Sequence, residues 1–335
     1  MQSSEIDELA ERAELCETDP LLADASLPLR GVFFPLGFPL EFYTNSAAVY
    51  AAARQSWHKF PPKFFCTPLV LRIGVHGPEH RTDVPPAPVP RGRRELLTCI
   101  ADAENFFVCN LDRGFSFGWV APQTAHSTLY LRYHILECAA LSMIASLRAA
   151  PLHAACVAPF QRGMLLCGDS GAGKSTLAFA GARAGWTFVS DDASYIPLDR
   201  LDRMVIGNRH QIRLRESGID LFPELEGRTI TPRAAGKPSI EIPTSDFPEL
   251  VTSDSAAIEY VIFLNRRHGE SPGLYPFPRE RATAWFDQFP MKGVETYETQ
   301  RAAIHQLLNV EILELRYTDL DWAIDRLNSL ALTGR

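Results

Sequence analysis

From Gly31 onward the chain alternates short apolar runs with turn residues. Runs at 32–34, 40–43, 69–73, 96–101, 106–109 and 115–120 have the length and the aromatic and aliphatic content of strands. They predict a largely β region carrying one helix over about 45–57. A longer apolar stretch predicts a helix from about 127 to 149. Beyond it strand-like runs alternate with helical ones. A strand is expected at 153–157, a turn at 159–163, a strand at 163–167, a helix from 176 closing near Gly185, and a strand at 186–190. Later strands are expected at 258–264 and 310–316. The last helix, about 320–330, carries Ile324, Leu327 and Leu330 on one face, with Thr318 as its expected cap. The pattern divides the chain into an acidic leader at 1–28, an α+β, largely β domain at 29–150, and an α/β domain at 151–335.

Composition adds bounds rather than detail. The chain has 335 residues, 46% apolar and 22% charged, with a formal net charge of −7. That suits a protein with a real core and argues against non-specific binding to nucleic acid or anionic lipid. The basic run Arg91, Gly92, Arg93, Arg94 follows a proline-rich segment at 85–90 and reads as an exposed loop. Seven cysteines are scattered without any C-x-x-C pair. An odd count of small apolar-run thiols points to a reducing compartment and away from a zinc site. Residues 1–19 lack the apolar core of a signal peptide, and the most apolar stretch, 129–147, contains Arg132, His134 and Glu137. A cytoplasmic location with no membrane span is expected.

Candidate chemistry concentrates in one segment. Gly168-Asp169-Ser170-Gly171-Ala172-Gly173-Lys174-Ser175-Thr176 fits the phosphate-binding pattern G-x-x-x-x-G-K-[ST], and it lies between an expected strand and an expected helix. Gly168, Gly171 and Gly173 let the backbone bring its N–H groups against phosphate oxygens, and the following helix N-terminus adds more. Lys174 would reach the β- and γ-phosphates, and the Ser175 hydroxyl would ligate Mg²⁺. Asp191 and Asp192 end the next strand, where ligands bind in α/β sheets. Of such a pair, one carboxylate can take a proton from an attacking hydroxyl while the other holds a metal. His153 alone reads as an ordinary packed or surface residue. Arg209, Gln211, Arg213 and Arg215 would share one face of an extended segment, suiting either phosphate contact or a solvated strand face. Lys237 is a weaker candidate, read as surface.

The run from His153 to Asp192 resembles the catalytic domain of the HPr kinase/phosphorylase family. The matching features are His153, G-D-S-G-x-G-K-S at 168–175, Gly185 closing the helix, and Asp191-Asp192 after the next strand. The resemblance implies an α/β P-loop kinase domain of the HPr kinase and phosphoenolpyruvate carboxykinase type. It implies use of ATP and Mg²⁺ to phosphorylate a serine hydroxyl of a protein or peptide. Asp191 inherits the role of base, Asp192 with Ser175 that of metal ligand, and His153 a supporting role. Arg209 and Arg213 fall in a region that contacts substrate or phosphate in the family, and the related kinases are oligomers. Two features depart from the family. Thr176 stands where a Glu is usual, and the family's later glycine- and arginine-rich loop has no clear counterpart, so neither phosphorolysis nor HPr as acceptor is implied. The chain is more similar to the divergent HPr-kinase-related group. Two other readings stay open on the residues: a small-metabolite kinase, and a nucleotide-dependent binding module without transfer.

Overall fold

The computed structural model describes residues 26–77, 84–200, 202–231, 238–266 and 271–334. Lys237 and most of the expected acidic leader lie outside them. The architecture is mixed α/β with several sheets. The first sheet takes β1 (Leu29–Phe33), β2 (Leu40–Thr44), β3 (Leu69–Val75), β4 (Val89–Arg93), β5 (Leu96–Ile100), β6 (Phe106–Asn110) and β7 (Phe115–Val120) in the order β1-β2-β3-β7-β6-β5-β4. Helix α1 (Ala47–Trp57) starts at the Ser46 cap, whose hydroxyl accepts from the Val49 N–H. It buries Val49, Ala52, Ala53 and Trp57 against Phe33, Phe42 and Ile135 in one core.

Two expectations in this half change. The segment around Pro90 pairs with β5 as an edge strand, where a residue without an N–H breaks no ladder bond. Its residues are all exposed, as a loop's would be. The helix expected over 127–149 is broken into short turns at Pro122–His126 and Thr128–Tyr130, a buried π-helical stretch Leu131–Leu136, and α2 (Glu137–Leu147). It ends there because Ala149 already belongs to β8 (Ala149–Leu152), an edge strand that tolerates Pro151.

The second sheet holds the candidate site. After β8 come β9 (Ala155–Ala158), β10 (Gly163–Cys167), α3 (Lys174–Arg183), β11 (Thr187–Ser190), β12 (Ser194–Pro197) and β13 (Met204–Gly207). Then β14 (Gln211–Leu214), β15 (Ile230–Thr231) and β16 (Ser239–Pro243) form a small separate sheet. The long β17 (Ser255–Asn265) returns to the main sheet, followed by β18 (Gly273–Pro276), α4 (Arg279–Phe286), α5 (Tyr297–Leu307), β19 (Glu311–Arg316) and α6 (Leu320–Thr333). The path β11-β9-β10-β17-β13-β12-β8 makes the large sheet, with β19 also on β17 and β18 on β19. Phe179 and Leu177 of α3 pack with Leu327 of α6 in one apolar cluster, while Phe286, Ile304 and Leu307 of α4 and α5 pack in another. The strands between them are buried throughout: every residue of β9, β10 and β11 is buried.

Details here also differ from expectation. The strand expected at 153–157 starts two residues later, because His153 and Ala154 carry the chain from β8 on one side of the sheet to β9. The strand before the aspartates is not the direct neighbour of β10. Antiparallel β9 lies between them, so β10 and β11 run in the same direction two places apart. The last helix is capped by Asp319, whose carboxylate accepts from the Trp322 N–H at 2.7 Å, and not by Thr318.

Candidate active site

Buried β10 delivers the chain to the glycine loop at the carboxyl end of the sheet. Gly168, Gly171 and Gly173 have φ of 142°, 95° and 98°, a region that L side chains rarely adopt. A Cβ on Gly173 would come within 3.0 Å of the Tyr317 hydroxyl and 3.1 Å of Arg266 Cδ. Gly173 serves as the N-cap of α3, whose alanine-rich turns favour helix. That helix ends at Gly185, in left-handed conformation, where Trp186 N–H donates to Gly181 O and Gly185 N–H to Ala182 O.

Lys174 is folded back over the loop. Its Nζ donates to Gly168 O at 2.7 Å and Asp169 O at 3.4 Å, and it lies 3.1 Å from His153 Nε2. An ammonium only donates, so Nε2 accepts and the imidazole proton sits on Nδ1, 3.2 Å from Asp192 Oδ1. The resulting chain Lys174–His153–Asp192 gives the turn histidine a defined place. Burial lowers the Lys174 pKa, while Asp192 nearby works in the opposite direction.

The two aspartates face different surroundings. Asp191 is buried, and its Oδ2 accepts from the Arg213 backbone N–H at 2.6 Å. Its carbonyl oxygen takes the Ser175 hydroxyl at 3.2 Å. Asp191 therefore ties the end of β11 both to α3 and to β14. Asp192 is more open and borders two cavities. One, of about 700 Å³, runs over the glycine loop between His153, Lys174, Arg215 and Arg266. The other, of about 200 Å³, lies between the aspartates and residues from the first half of the chain. Arg213 also borders both.

Arg213 is held by Glu241 at 3.1 Å and lies 4.1 Å from the centroid of the Tyr133 ring. Arg132 joins Glu241 at 3.5 Å and Glu137 at 3.6 Å. Desolvation raises the pKa of both glutamates, and Arg132 works against it. This buried network fastens β14 and β16 to the helical segment of the first half.

Most residues singled out from the sequence converge here: His153, the loop from Gly168 to Thr176, Asp191, Asp192 and Arg213. Arg209 does not. It precedes β14, and its Nε pairs with Asp254 at 2.7 Å, apart from the glycine loop. Arg215 does, donating to Ser170 Oγ at 2.6 Å. Sequence reasoning missed Arg266, which stands beside Gly173 with its guanidinium 5.8 Å from the Tyr317 ring centroid. A usable signal existed: Arg266 directly follows the strand parallel to β10, at the end where ligands bind. The cavity of about 200 Å³ left no motif at all.

No family model matches this chain, and no curated protein matches it. Among solved structures, it is similar to the HPr(Ser) kinase/phosphatase from Coxiella burnetii. The two are 12% identical over 55% of this chain and 95% of that one, with a TM-score of 0.33.

The residues present fit a nucleotide with Mg²⁺. The loop glycines, the Lys174 ammonium, Arg215 and Arg266 give an anion cradle opening on the larger cavity. Ser175 and Asp192 offer hard oxygen donors beside it. Among the described residues no group of three or more His, Cys, Asp or Glu side chains could hold a metal. A Mg²⁺ carried by phosphates and completed by one hydroxyl and one carboxylate needs no such group.

Proposed function

We propose that this chain is an ATP- and Mg²⁺-dependent phosphotransferase that phosphorylates a serine hydroxyl in a protein or peptide, with Asp191 as base. One observation carries the reading. The glycine-loop cavity and a second cavity, which Asp191 also lines, share Asp192 and Arg213, so a γ-phosphate in the first and a hydroxyl in the second can approach one corner of the site. In the reaction the serine oxygen bonds to the γ-phosphorus, the bond from that phosphorus to the β–γ bridging oxygen breaks, ADP leaves, and the hydroxyl proton passes to Asp191. Mg²⁺, when bound, would neutralise phosphate charge. Lys174, Arg215 and Arg266 would supply fixed positive charge to the equatorial oxygens. His153 would hold Lys174 and Asp192 in register.

The small volume of the second cavity favours one alternative, a small-metabolite kinase. Labelled ATP offered with a serine peptide pool and, separately, with a hydroxylated metabolite panel distinguishes them. Phosphoserine in the peptides supports the proposal. Labelled metabolite with unlabelled peptides defeats it in favour of the alternative.

A further inference from the structure

The 200 Å³ cavity has a composition of its own. Leu36, Trp57, Phe60 and Leu141 give an apolar wall to the lining they share with Asp191 and Asp192. Leu36, Trp57 and Phe60 belong to the first half of the chain, so the acceptor side of the site is built by both halves. Three carboxylates line it: Asp191, Asp192 and Glu137. Among the described lining residues the single cation is Arg213, whose guanidinium is already on Glu241 and Tyr133. Asn208 and Gln211 sit in the same lining. The volume is many times the ~10–15 Å³ that holds one water.

These features select a ligand. A small polyhydroxylated metabolite would bond the polar lining but leave the apolar wall of Leu36, Trp57, Phe60 and Leu141 uncovered. An acidic group beside the acceptor hydroxyl would meet carboxylates without a cation to spare. A large neutral apolar side chain fills the wall, and the side-chain amides of Asn208 and Gln211 both donate and accept, as a peptide backbone requires. We infer that this cavity receives the acceptor as a peptide and selects a serine flanked by a large apolar residue, excluding acidic neighbours. The inference rests on the kinase reading above. It gives the first half of the chain a role: Phe60 and its neighbours set acceptor specificity.

The test uses the full chain with Mg²⁺, [γ-³²P]ATP and an oriented library of short peptides holding one fixed serine between randomised positions. Leu, Met or Phe beside the serine should be preferred over Asp or Glu by about tenfold or more, the scale of one side chain's fit in an apolar pocket. For the best peptide, Phe60→Ala should raise KM about tenfold, and Phe60→Leu should recover most of it. Affinity for a fluorescent ATP analogue should be unchanged in both, which also shows that they fold. Equal use of acidic flanks, or an unchanged peptide KM in Phe60→Ala, would overturn the inference and leave the kinase reading standing. Label in a metabolite panel but in no peptide would overturn the peptide acceptor. Bound nucleotide with no labelled acceptor of any kind would overturn both.

Discussion

Replacing Asp191 separates its two jobs. Its Oδ2 accepts the Arg213 N–H at 2.6 Å in a buried setting, and it is the proposed base. Asp191→Asn keeps an oxygen acceptor but loses the charge, so a bond worth about 1.5–3 kcal/mol becomes one of about 0.5–1.5, a loss near 1 kcal/mol. In a chain of this size that lowers Tm by about 2 °C. Asp191→Ala leaves the Arg213 N–H buried without an acceptor and costs about 1–3 kcal/mol. Transfer should behave differently. Both variants lose the base, so kcat should fall about 10²–10⁴-fold in each, regardless of their stability difference. Thermal melts, fluorescent ATP-analogue affinity and single-turnover transfer, measured side by side, test this. Transfer by Asp191→Asn at the wild-type rate refutes Asp191 as base, whatever the melts show.

Lys174→Met should weaken ATP binding at least about tenfold while leaving the free protein's stability unchanged or higher, since it removes a desolvated ammonium; calorimetric titration and a melt read both. Because burial lowers the Lys174 pKa, free protein loses that proton at lower pH than an ordinary lysine does. ATP affinity should therefore fall as pH rises through the lowered value, with proton uptake on binding, detectable by titrating in buffers of different ionisation enthalpy. His210 is partly buried with its pKa lowered to about 4. The unfolded chain takes up this proton first, so stability should drop by about 1 kcal/mol as pH falls from about 6.5 to 4. That drop should vanish from denaturation curves of His210→Phe. Gly181→Ala would place a Cβ 2.0 Å from Trp186 Cε3, and Trp186 is anchored by a 2.7 Å bond from Nε1 to Asn328. A loss of about 3 kcal/mol is expected in denaturant unfolding.

The parts legible in the sequence were those governed by local rules. The glycine loop, the strand before it and the helix after it follow from residue order, because glycine placement and apolar runs act over a few positions. The pairing of β11 with β9 rather than β10 does not, since a neighbour in the sheet is chosen by long-range packing. The helix expected at 127–149 was misjudged because a continuous apolar stretch cannot show where Pro151 and pairing with β12 claim its end. His153 looked ordinary until the fold set it between Lys174 and Asp192. Arg209 and Arg213 shared a pattern, yet only Arg213 lies on β14; Arg209 is drawn to Asp254. The cavity walled by Leu36, Trp57 and Phe60 joins residues far apart in the chain and was invisible to any motif.

The central claim is that the glycine loop feeds a phosphoryl group to a hydroxyl at Asp191. Its most direct measurement is phosphoamino-acid analysis after incubating the full chain with Mg²⁺, [γ-³²P]ATP and a serine peptide pool. The account predicts acid-stable phosphoserine that requires Mg²⁺ and disappears in Asp191→Asn. Nucleotide bound at the loop with no label in serine would contradict it.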